Sequence, residues 1–376
     1  MKLNFTVLFL ARCILSFSLA SININDLIAQ SPKKVVIGYV GGFRGMIDPT
    51  IIEADKLTHI NYAFVDIQQG KAWLQNEITD TTNFRLLNTL KAKNPDLKIL
   101  ISIGGWSWSE NFSDAVLTDS SRNIFAASAV AIMHTNNLDG VDIDWEYPAM
   151  KGEEGNVYRP EDKQNFTFMF RSLRIALDSL EKLTGKDYLL TTAVGGSNAF
   201  IQNTEMDKLA PDLDYINLMT YDFSSQRAGH HTNLFFSKGD TTSSADKTVR
   251  SYIAAGVPPA KLVLGLAFYG KGWVVKDPEG NWFNKPVVSA ARGGGFSFLK
   301  DSLINQRGFK DHWDKAAKAP YLFNKQTSVF ITYDNEKSVR LKCRYVLREE
   351  LAGVMFWEYN NDPKGYLLNV IHEEFK

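Results

Sequence analysis

The sequence predicts an α/β fold: a (β/α)8 TIM barrel with a small α+β insertion domain between strands 7 and 8. Three features indicate it: eight short apolar runs rich in β-forming residues, helical periodicity between them, and one long interval before the last run. Near-continuous apolar runs are typical of parallel strands that are buried on both faces. An open doubly wound sheet is the alternative, but no glycine-rich phosphate loop follows the first run, which favours a closed barrel.

The predicted strands alternate with predicted helices along the chain, as parallel crossovers require. The strands are Val35–Val40, His59–Val65, Lys98–Gly105, Gly140–Tyr147, Tyr188–Val194, Tyr215–Phe223, Lys261–Tyr269 and Gly353–Tyr359. The helices are Thr82–Lys93, Ser121–Asn137, Asp162–Leu183, Ser244–Ala255 and Asp334–Glu350.

One interval breaks this alternation. The chain between Tyr269 and Gly353 is far longer than one crossover helix needs. Its alternating runs predict an inserted α+β domain over residues 271–331. The barrel is then expected to comprise residues 34–270 and 332–376.

The first twenty residues resemble a secretory signal peptide, with Lys2, an apolar run and a small-residue end at Ala20. We therefore expect a secreted protein, either extracellular or periplasmic. This run and every later one are too short for a membrane span, so no membrane partner is expected. Cys13 raises the alternative of a lipoprotein anchor, which the preceding Arg12 disfavours. Removal of the signal would leave Cys343 as the single cysteine and therefore no internal disulfide.

Charge and composition favour a neutral ligand. Forty-two basic residues balance 42 acidic ones, so no net field favours nucleic acid. The chain has 8 Trp, 14 Tyr and 24 Phe, and a sugar can pack its C–H face on such rings. Most of these rings are expected in the core.

The segment 139–146, with sequence DGVDIDWE, carries the chemistry. Residues two apart in a strand share a face, so Asp142, Asp144 and Glu146 form a row of carboxyl groups. Crowded carboxyls repel one another when ionised, so Glu146, nearest the C-terminal mouth of the barrel, is expected to keep its proton. A divalent metal is the competing interpretation. No comparable ligand cluster appears at other strand ends, so we expect neither metal nor cofactor.

Residues 139–146 resemble the DxxDxDxE signature of family 18 glycoside hydrolases, the chitinases. Four further segments resemble motifs of that family in the same order: residues 101–106 (ISIGGW), 219–222 (MTYD), 268–270 (FYG) and 353–358 (GVMFWE). The resemblance extends from Lys34 to Lys364. The loop 41–44 departs from it, because it lacks the tryptophan that is common there in relatives.

The resemblance implies a retaining reaction in which the substrate supplies its own nucleophile. Glu146 would protonate the glycosidic oxygen, Asp144 would bind the acetamido N–H, and Asp142 would share a proton with Asp144. Tyr221 would hold the acetamido oxygen and Trp357 would form the floor beneath the sugar. The other implied sugar-binding residues are Met219, Asp222, Tyr39, Phe64, Trp106 and Tyr147.

The predicted function is therefore hydrolysis of chitin or chitooligosaccharides by a monomeric chitinase. An endo-β-N-acetylglucosaminidase acting on N-glycans or cell-wall polymers would use the same acid and the same acetamido chemistry. A chitinase-like lectin is the alternative from another class, but the catalytic acid would then be replaced. The sequence leaves endo or exo action open.

Overall fold

Strands and helices alternate through the computed structural model, which describes residues 33–224, 227–238, 240–276 and 285–376. The predicted signal peptide, residues 1–20, lies outside the described residues. The strands are β1 Val35–Gly41, β2 His59–Gln68, β3 Lys71–Trp73, β4 Lys98–Gly104, β5 Gly140–Asp144, β6 Leu189–Gly195, β7 Tyr215–Met219, β8 Leu262–Ala267, β9 Tyr269–Val275, β10 Val287–Gly295, β11 Lys310–Asp314, β12 Ala319–Asn324, β13 Val329–Thr332 and β14 Gly353–Trp357. The helices are α1 Glu77–Thr89, α2 Phe112–Ala115, α3 Asp119–Thr135, α4 Asp162–Thr184, α5 Asn198–Gln202, α6 Met206–Leu209, α7 Ala245–Ala254, α8 Phe296–Ser302, α9 Glu336–Arg348 and α10 Tyr366–Glu374.

Eight of these strands close into a parallel barrel. Their order is β1-β14-β8-β7-β6-β5-β4-β2, and β1 also pairs with β2. The closing pairings align Val35 with Gly353 and Ile37 with His59. The short strand β3 is antiparallel to the end of β2. The predicted (β/α)8 barrel is confirmed.

Strands β5 and β7 end earlier at the mouth than the sequence pattern predicts. β5 ends at Asp144 rather than Tyr147, and β7 ends at Met219 rather than Phe223. The alternation of apolar and polar residues continues past the last ladder hydrogen bond, so the pattern alone overextends these two strands. Beyond these ends, Glu146 and Tyr147 after β5, and Tyr221, Asp222 and Phe223 after β7, line the cavity described below.

The first crossover helix begins earlier than predicted. α1 begins at Glu77 rather than Thr82, because the side chain of Asn76 caps it by accepting from the backbone N–H of Thr79 at 3.1 Å. Helices α3, α4, α7 and α9 lie within two residues of their predicted bounds.

Strand β5 divides its side chains between two environments. Val141, Ile143 and the following Trp145 pack in the apolar layer between the barrel and its helices. Asp142 is buried inside the barrel, where it contacts the hydroxyl group of Tyr39. The carboxyl groups therefore face inward because the alternate positions supply apolar bulk to the outer core.

A second sheet lies in the chain between β8 and β14. Its antiparallel strands have the order β10-β9-β13-β12-β11, and α8 follows β10. Trp273 of this sheet is buried and stacks on Phe330 with ring centroids 6.0 Å apart. The sheet extends from Tyr269 to Thr332, close to the predicted insertion of 271–331, whose boundaries as a domain stay a prediction.

A buried ion pair joins α9 to the mouth of the barrel. The ammonium nitrogen of Lys342 lies 2.6 Å from one carboxylate oxygen of Asp334, and both side chains are fully buried. Lys342 also donates to the hydroxyl of Thr232 at 2.7 Å, and Asp334 accepts the backbone N–H of Ala267 at 3.2 Å. This pair therefore connects α9, the end of β8 and the loop after β7.

Loss of one partner of this pair is expected to destabilise the fold strongly. Lys342→Met should lower the free energy of unfolding by about 3–5 kcal/mol, because Asp334 would then be a buried charge without its counterion. Denaturant unfolding followed by circular dichroism measures this change. The matched control is Lys364→Met, which breaks the exposed pair with Asp301 and should leave the stability nearly unchanged. Equal effects of the two variants would contradict the structural role of the buried pair.

Candidate active site

Three carboxyl groups follow β5 toward the mouth of the barrel. Asp142 is fully buried, Asp144 is 5% exposed and Glu146 is half-buried just beyond the end of the strand. The carbonyl of Asp144 accepts the backbone N–H of Gly105 at 2.7 Å. Gly104 permits this approach, since its φ is +108° and an added Cβ would lie 2.3 Å from the same carbonyl oxygen. The loop after β4 thus fixes the strand end that carries the acids.

Asp142 lies at the centre of a hydrogen-bond network inside the barrel. It accepts hydrogen bonds from the hydroxyls of Tyr39 at 2.9 Å, Ser102 at 2.7 Å and Thr191 at 2.5 Å, and from the amide of Asn217 at 3.3 Å. Burial raises the pKa of Asp142, and the three hydroxyl donors partly offset the rise because they favour the ionised form. Asp142 is therefore held rigidly beneath the cavity.

One carboxyl oxygen of Asp144 is buried without a hydrogen bond. This atom, Oδ1, has no hydrogen-bond partner among the described residues. Burial, with the nearby charges of Glu146 and Asp142, holds the pKa of Asp144 well above its usual value. A buried oxygen without a partner is uncommon in folded proteins, and here it suits a hydrogen-bond donor on a ligand.

Glu146 is anchored through its backbone, which leaves its carboxyl group for the cavity. Its N–H donates to the buried hydroxyl of Ser109 at 2.9 Å, and its carbonyl accepts from the side chain of Asn156 at 3.3 Å. Burial raises the pKa of Glu146 to about 7, against a hydrogen bond from Tyr147 that lowers it, and the charge of Asp222 raises it further. Glu146 can therefore hold a proton near neutral pH and release it to a substrate.

The raised pKa of Glu146 predicts where activity is lost at high pH. If Glu146 is the proton donor that the sequence predicts, its acid form is the working form, and kcat/KM should fall above pH about 7, by about tenfold per pH unit once Glu146 is ionised. A pH profile of kcat/KM for the hydrolysis of a neutral substrate measures this decline. A flat profile well beyond pH 7 would contradict the role of Glu146 as the proton donor.

Asp222 faces the same cavity from the loop after β7. Its Oδ1 atom accepts the hydroxyl of Tyr269 at 2.8 Å and lies 2.9 Å from the ammonium nitrogen of Lys271. Partial burial would raise the pKa of Asp222, but its hydrogen bonds with His231 and Lys271, together with the positive charge of Lys271, outweigh this effect and hold the pKa below its usual value. Asp222 is therefore ionised and contributes a fixed negative charge to the site.

Aromatic rings form one wall of the cavity. Trp357 stacks on Phe64, with ring centroids 5.5 Å apart and planes 18° apart, and on Phe43 at 6.2 Å and 19°. Tyr39 packs beneath Trp357, at 5.8 Å between ring centroids. Near-parallel rings of this kind present a flat apolar surface, which suits the C–H face of a pyranose.

A second aromatic pair lies on the side of Glu146. Trp106 is 48% exposed and meets the ring of Tyr147 edge-on, with centroids 6.4 Å apart. Trp106 therefore lines the open site, whereas a tryptophan at a strand end is more often part of the core.

The acids and the rings line one cavity of about 880 Å³ at the mouth of the barrel. A cavity of this size accommodates a ligand as large as an oligosaccharide segment. The predicted site residues in its lining are Asp144, Glu146, Tyr147, Phe64, Trp106, Met219, Tyr221, Asp222 and Trp357. Asp142 and Tyr39 are not in the lining; they support it from inside the barrel.

Sequence reasoning did not assign a role to several residues of this site. Lys271 and Tyr269 line the cavity and contact Asp222, and Phe43 extends the aromatic wall. Ser109 holds the backbone of Glu146. The FYG motif at 268–270 contains Tyr269 and directly precedes Lys271, so it was the available signal for both residues.

The family model for "Glycosyl hydrolases family 18" matches residues 35–362, which include both sheets and every site residue above. The chain belongs to this family. Similar proteins include "Chitinase A1" of Niallia circulans, which is 36% identical over 86% of this chain. The chain spans only about half of that relative, 54% of its length.

Solved structures are also similar to this chain. An N-acetylglucosaminidase of this family from Paenibacillus barengoltzii has a TM-score of 0.84 and 40% identity, covering 91% of this chain and 99% of that chain. A chitinase from Bacillus thuringiensis has a TM-score of 0.87 and 33% identity, covering 91% of this chain and 70% of that one.

The described residues contain neither a metal-binding cluster nor a membrane-spanning helix. Within residues 33–224, 227–238, 240–276 and 285–376, no group of three or more His, Cys, Asp or Glu side chains is arranged to hold a metal ion. Across the same residues, no helix has the length and apolar character that a membrane crossing needs.

Proposed function

We propose that the protein is a chitinase that hydrolyses β-1,4-linked N-acetylglucosamine polymers with retention, by substrate-assisted catalysis. The supporting observation is that Glu146, with its pKa raised to about 7, shares a cavity with the unpartnered carboxyl oxygen of Asp144. One group can donate a proton, and the other can accept the N–H of an acetamido group. Family membership and relatives that are named chitinases support the same proposal.

In the first step, Glu146 gives its proton to the glycosidic oxygen as the bond to the anomeric carbon breaks. The acetamido carbonyl oxygen of the same sugar attacks that carbon and closes an oxazolinium ring. Asp144 accepts the acetamido N–H, and its negative charge balances the positive ring as it forms. The nucleophile is already attached to the substrate, so the protein needs to orient it rather than supply a nucleophile of its own.

In the second step, the ionised Glu146 takes a proton from water, and the water oxygen attacks the anomeric carbon. The oxazolinium ring opens, and the two displacements together give retention. We propose that Asp142 assists by sharing a proton with Asp144, so that the charge on Asp144 can follow the reaction. The negative charge of Asp142 is one of the causes that raise the pKa of Asp144, so the charge states of the two groups depend on each other.

Tyr221 and Trp357 orient the reacting sugar. The hydroxyl of Tyr221 donates a weak hydrogen bond to the sulfur of Met355 at 3.8 Å. It can therefore donate instead to the acetamido oxygen. Trp357 lies at the floor of the cavity, stacked on Phe64, and offers its face to the sugar ring. Met219 and Asp222 complete the pocket around it.

Two alternatives are less well supported. A lectin would not need a proton donor, yet Glu146 and Asp144 both occupy the cavity. An endo-β-N-acetylglucosaminidase specific for N-glycans would use the same acids, but chitinases are the named relatives over most of the chain.

The similarity to an N-acetylglucosaminidase favours a narrower variant of the proposal, in which the enzyme releases single sugars from chain ends.

The proposal is tested by product analysis on three substrates: chitin, chitooligosaccharides and a high-mannose glycopeptide. We expect cleavage of the first two and no cleavage of the third. The sizes of the products distinguish chain-end release of monosaccharides from internal cleavage. Binding of a fluorogenic chitobioside without any hydrolysis would support the lectin instead and would contradict the proposal.

We also propose that the protein acts outside the cytoplasm, as an extracellular or periplasmic enzyme on neutral sugar polymers. Support comes only from the signal-like residues 1–20 and from a net charge of zero. N-terminal sequencing of the protein from culture fractions would test this, and a cytoplasmic protein with an intact N-terminus would contradict it.

A further inference from the structure

Three side chains converge on one oxygen of Asp222. The hydroxyl of Tyr269 donates to Oδ1 at 2.8 Å, the ammonium nitrogen of Lys271 lies 2.9 Å from it, and Nδ1 of His231 lies 3.4 Å from it. Asp222 is therefore held through Oδ1, and its side chain lines the cavity.

The partners of Asp222 come from two different elements. Tyr269 and Lys271 belong to β9, the first strand of the second sheet, and His231 is fully buried in the loop after β7. Asp222 itself has a φ of +58°, a left-handed conformation that aspartate tolerates better than most residues. The contacts from β9 therefore hold the side chain of a residue that belongs to the loop after β7.

Only one of these partners carries a positive charge at neutral pH. Burial lowers the pKa of His231 below its usual value of 6.5, so its ring is neutral there. Burial also holds the pKa of Tyr269 well above 10.0, so its hydroxyl keeps its proton. Lys271 is the permanent cation beside Asp222.

We propose that Lys271 is a positioning residue, which holds Asp222 toward the sugar and limits the negative charge that Asp222 exerts on Glu146. Lys271 lines the cavity beside both carboxyl groups, and its ammonium group pairs directly with Asp222. The inference rests on the proposed function, since it concerns the proton that Glu146 donates. It adds a residue of the second sheet to the machinery of the barrel.

The sign of the expected effect follows from the charges around Glu146. The titratable groups that face Asp222 and Glu146 are Asp144, Tyr147, Tyr221, His231, Tyr269 and Lys271, and Asp334 faces His231 from behind. Lys271 is the sole cation of this set at neutral pH. Its removal would expose Glu146 to the full charge of Asp222, so Glu146 would keep its proton to higher pH.

The test compares Lys271→Gln with Lys271→Arg on a fluorogenic chitobioside across the pH range. For Lys271→Gln we expect the basic limb of kcat/KM to move up by roughly half a pH unit to one unit. We also expect kcat/KM at the optimum to fall by about tenfold, because Asp222 is no longer held. Lys271→Arg keeps the charge and should retain the wild-type limb. Asp222→Asn should move the limb in the opposite direction, to lower pH.

Each outcome separates this inference from the proposed function. A wild-type protein without hydrolysis would contradict the proposed function itself. If the wild type is active but the basic limb of kcat/KM stays in place or moves to lower pH in Lys271→Gln, the inference alone is contradicted. A merely structural role for Lys271 would lower the active fraction and the melting temperature without moving the limb.

Discussion

Glu146→Gln is expected to lower kcat on a fluorogenic chitobioside by about 10²–10⁴-fold, the usual contribution of a general acid. Glutamine is nearly the same size but cannot donate a proton to the glycosidic oxygen. The backbone contacts of Glu146 with Ser109 and Asn156 do not involve its carboxyl group, so the fold around the variant should persist. Affinity for an intact chitooligosaccharide, measured by calorimetry, should change little because the acid acts chiefly in the transition state.

The matched control for this variant is Glu154→Gln, which makes the same substitution at an exposed position outside the cavity lining. It should hydrolyse the substrate as the wild type does. Turnover retained in Glu146→Gln would remove Glu146 from its role, and a joint loss of turnover and affinity would point to a binding role instead.

Asp144→Asn is expected to have the second largest effect, a loss of about 10²–10³-fold in kcat on acetamido substrates. The carboxylate balances the positive charge of the oxazolinium ring, and a neutral amide cannot. The amide also replaces a carboxyl oxygen with a hydrogen-bond donor, beside a substrate N–H that is itself a donor. Steady-state kinetics on the chitobioside measure the loss.

Asp139→Asn is the control for this second variant. Asp139 belongs to the same DxxDxDxE segment, but it lies at the opposite end of β5 and pairs with Lys91 at 2.7 Å. It accepts the backbone N–H of Ile99 and has no contact with the cavity lining. Its folded variant should keep near-wild-type turnover, and equal losses in the two variants would mean that the segment acts through stability alone.

The barrel could be predicted from the sequence because its signal is local. Each strand is a short apolar run and each crossover helix has its own periodicity, so every unit could be recognised alone. The carboxyl row was also local, since Asp142, Asp144 and Glu146 alternate along one strand. The strand ends at Asp144 and Met219 could not be located, because the alternating pattern outlasts the ladder hydrogen bonds.

The contacts of Asp222 had no comparable local signal. Tyr269 and Lys271 reach it from β9 and His231 from the loop after β7, so their meeting depends on how the second sheet packs on the barrel. Two adjacent histidines in a sequence are also more often core or surface residues than site residues. Only the folded chain shows that His231 is buried beside a carboxylate of the site.

The departure in the loop 41–44 likewise needed coordinates to interpret. The absence of a tryptophan left the sugar-binding surface on that side undefined by sequence. The structure places Phe43 there, 48% exposed and stacked on Trp357, so an aromatic surface is retained with a smaller ring. Arg44 lies over Phe43 and is fixed by an ion pair with the buried Glu358.

Proton NMR of the first product formed tests the central claim most directly, because it reports the configuration at the anomeric carbon before mutarotation. With a chitooligosaccharide as substrate, a proton donor at Glu146 and an internal acetamido nucleophile predict the β-anomer first. They also predict no cleavage of the matching cellooligosaccharide, which has no acetamido group. Initial formation of the α-anomer, or cleavage of both substrates at similar rates, would contradict the mechanism.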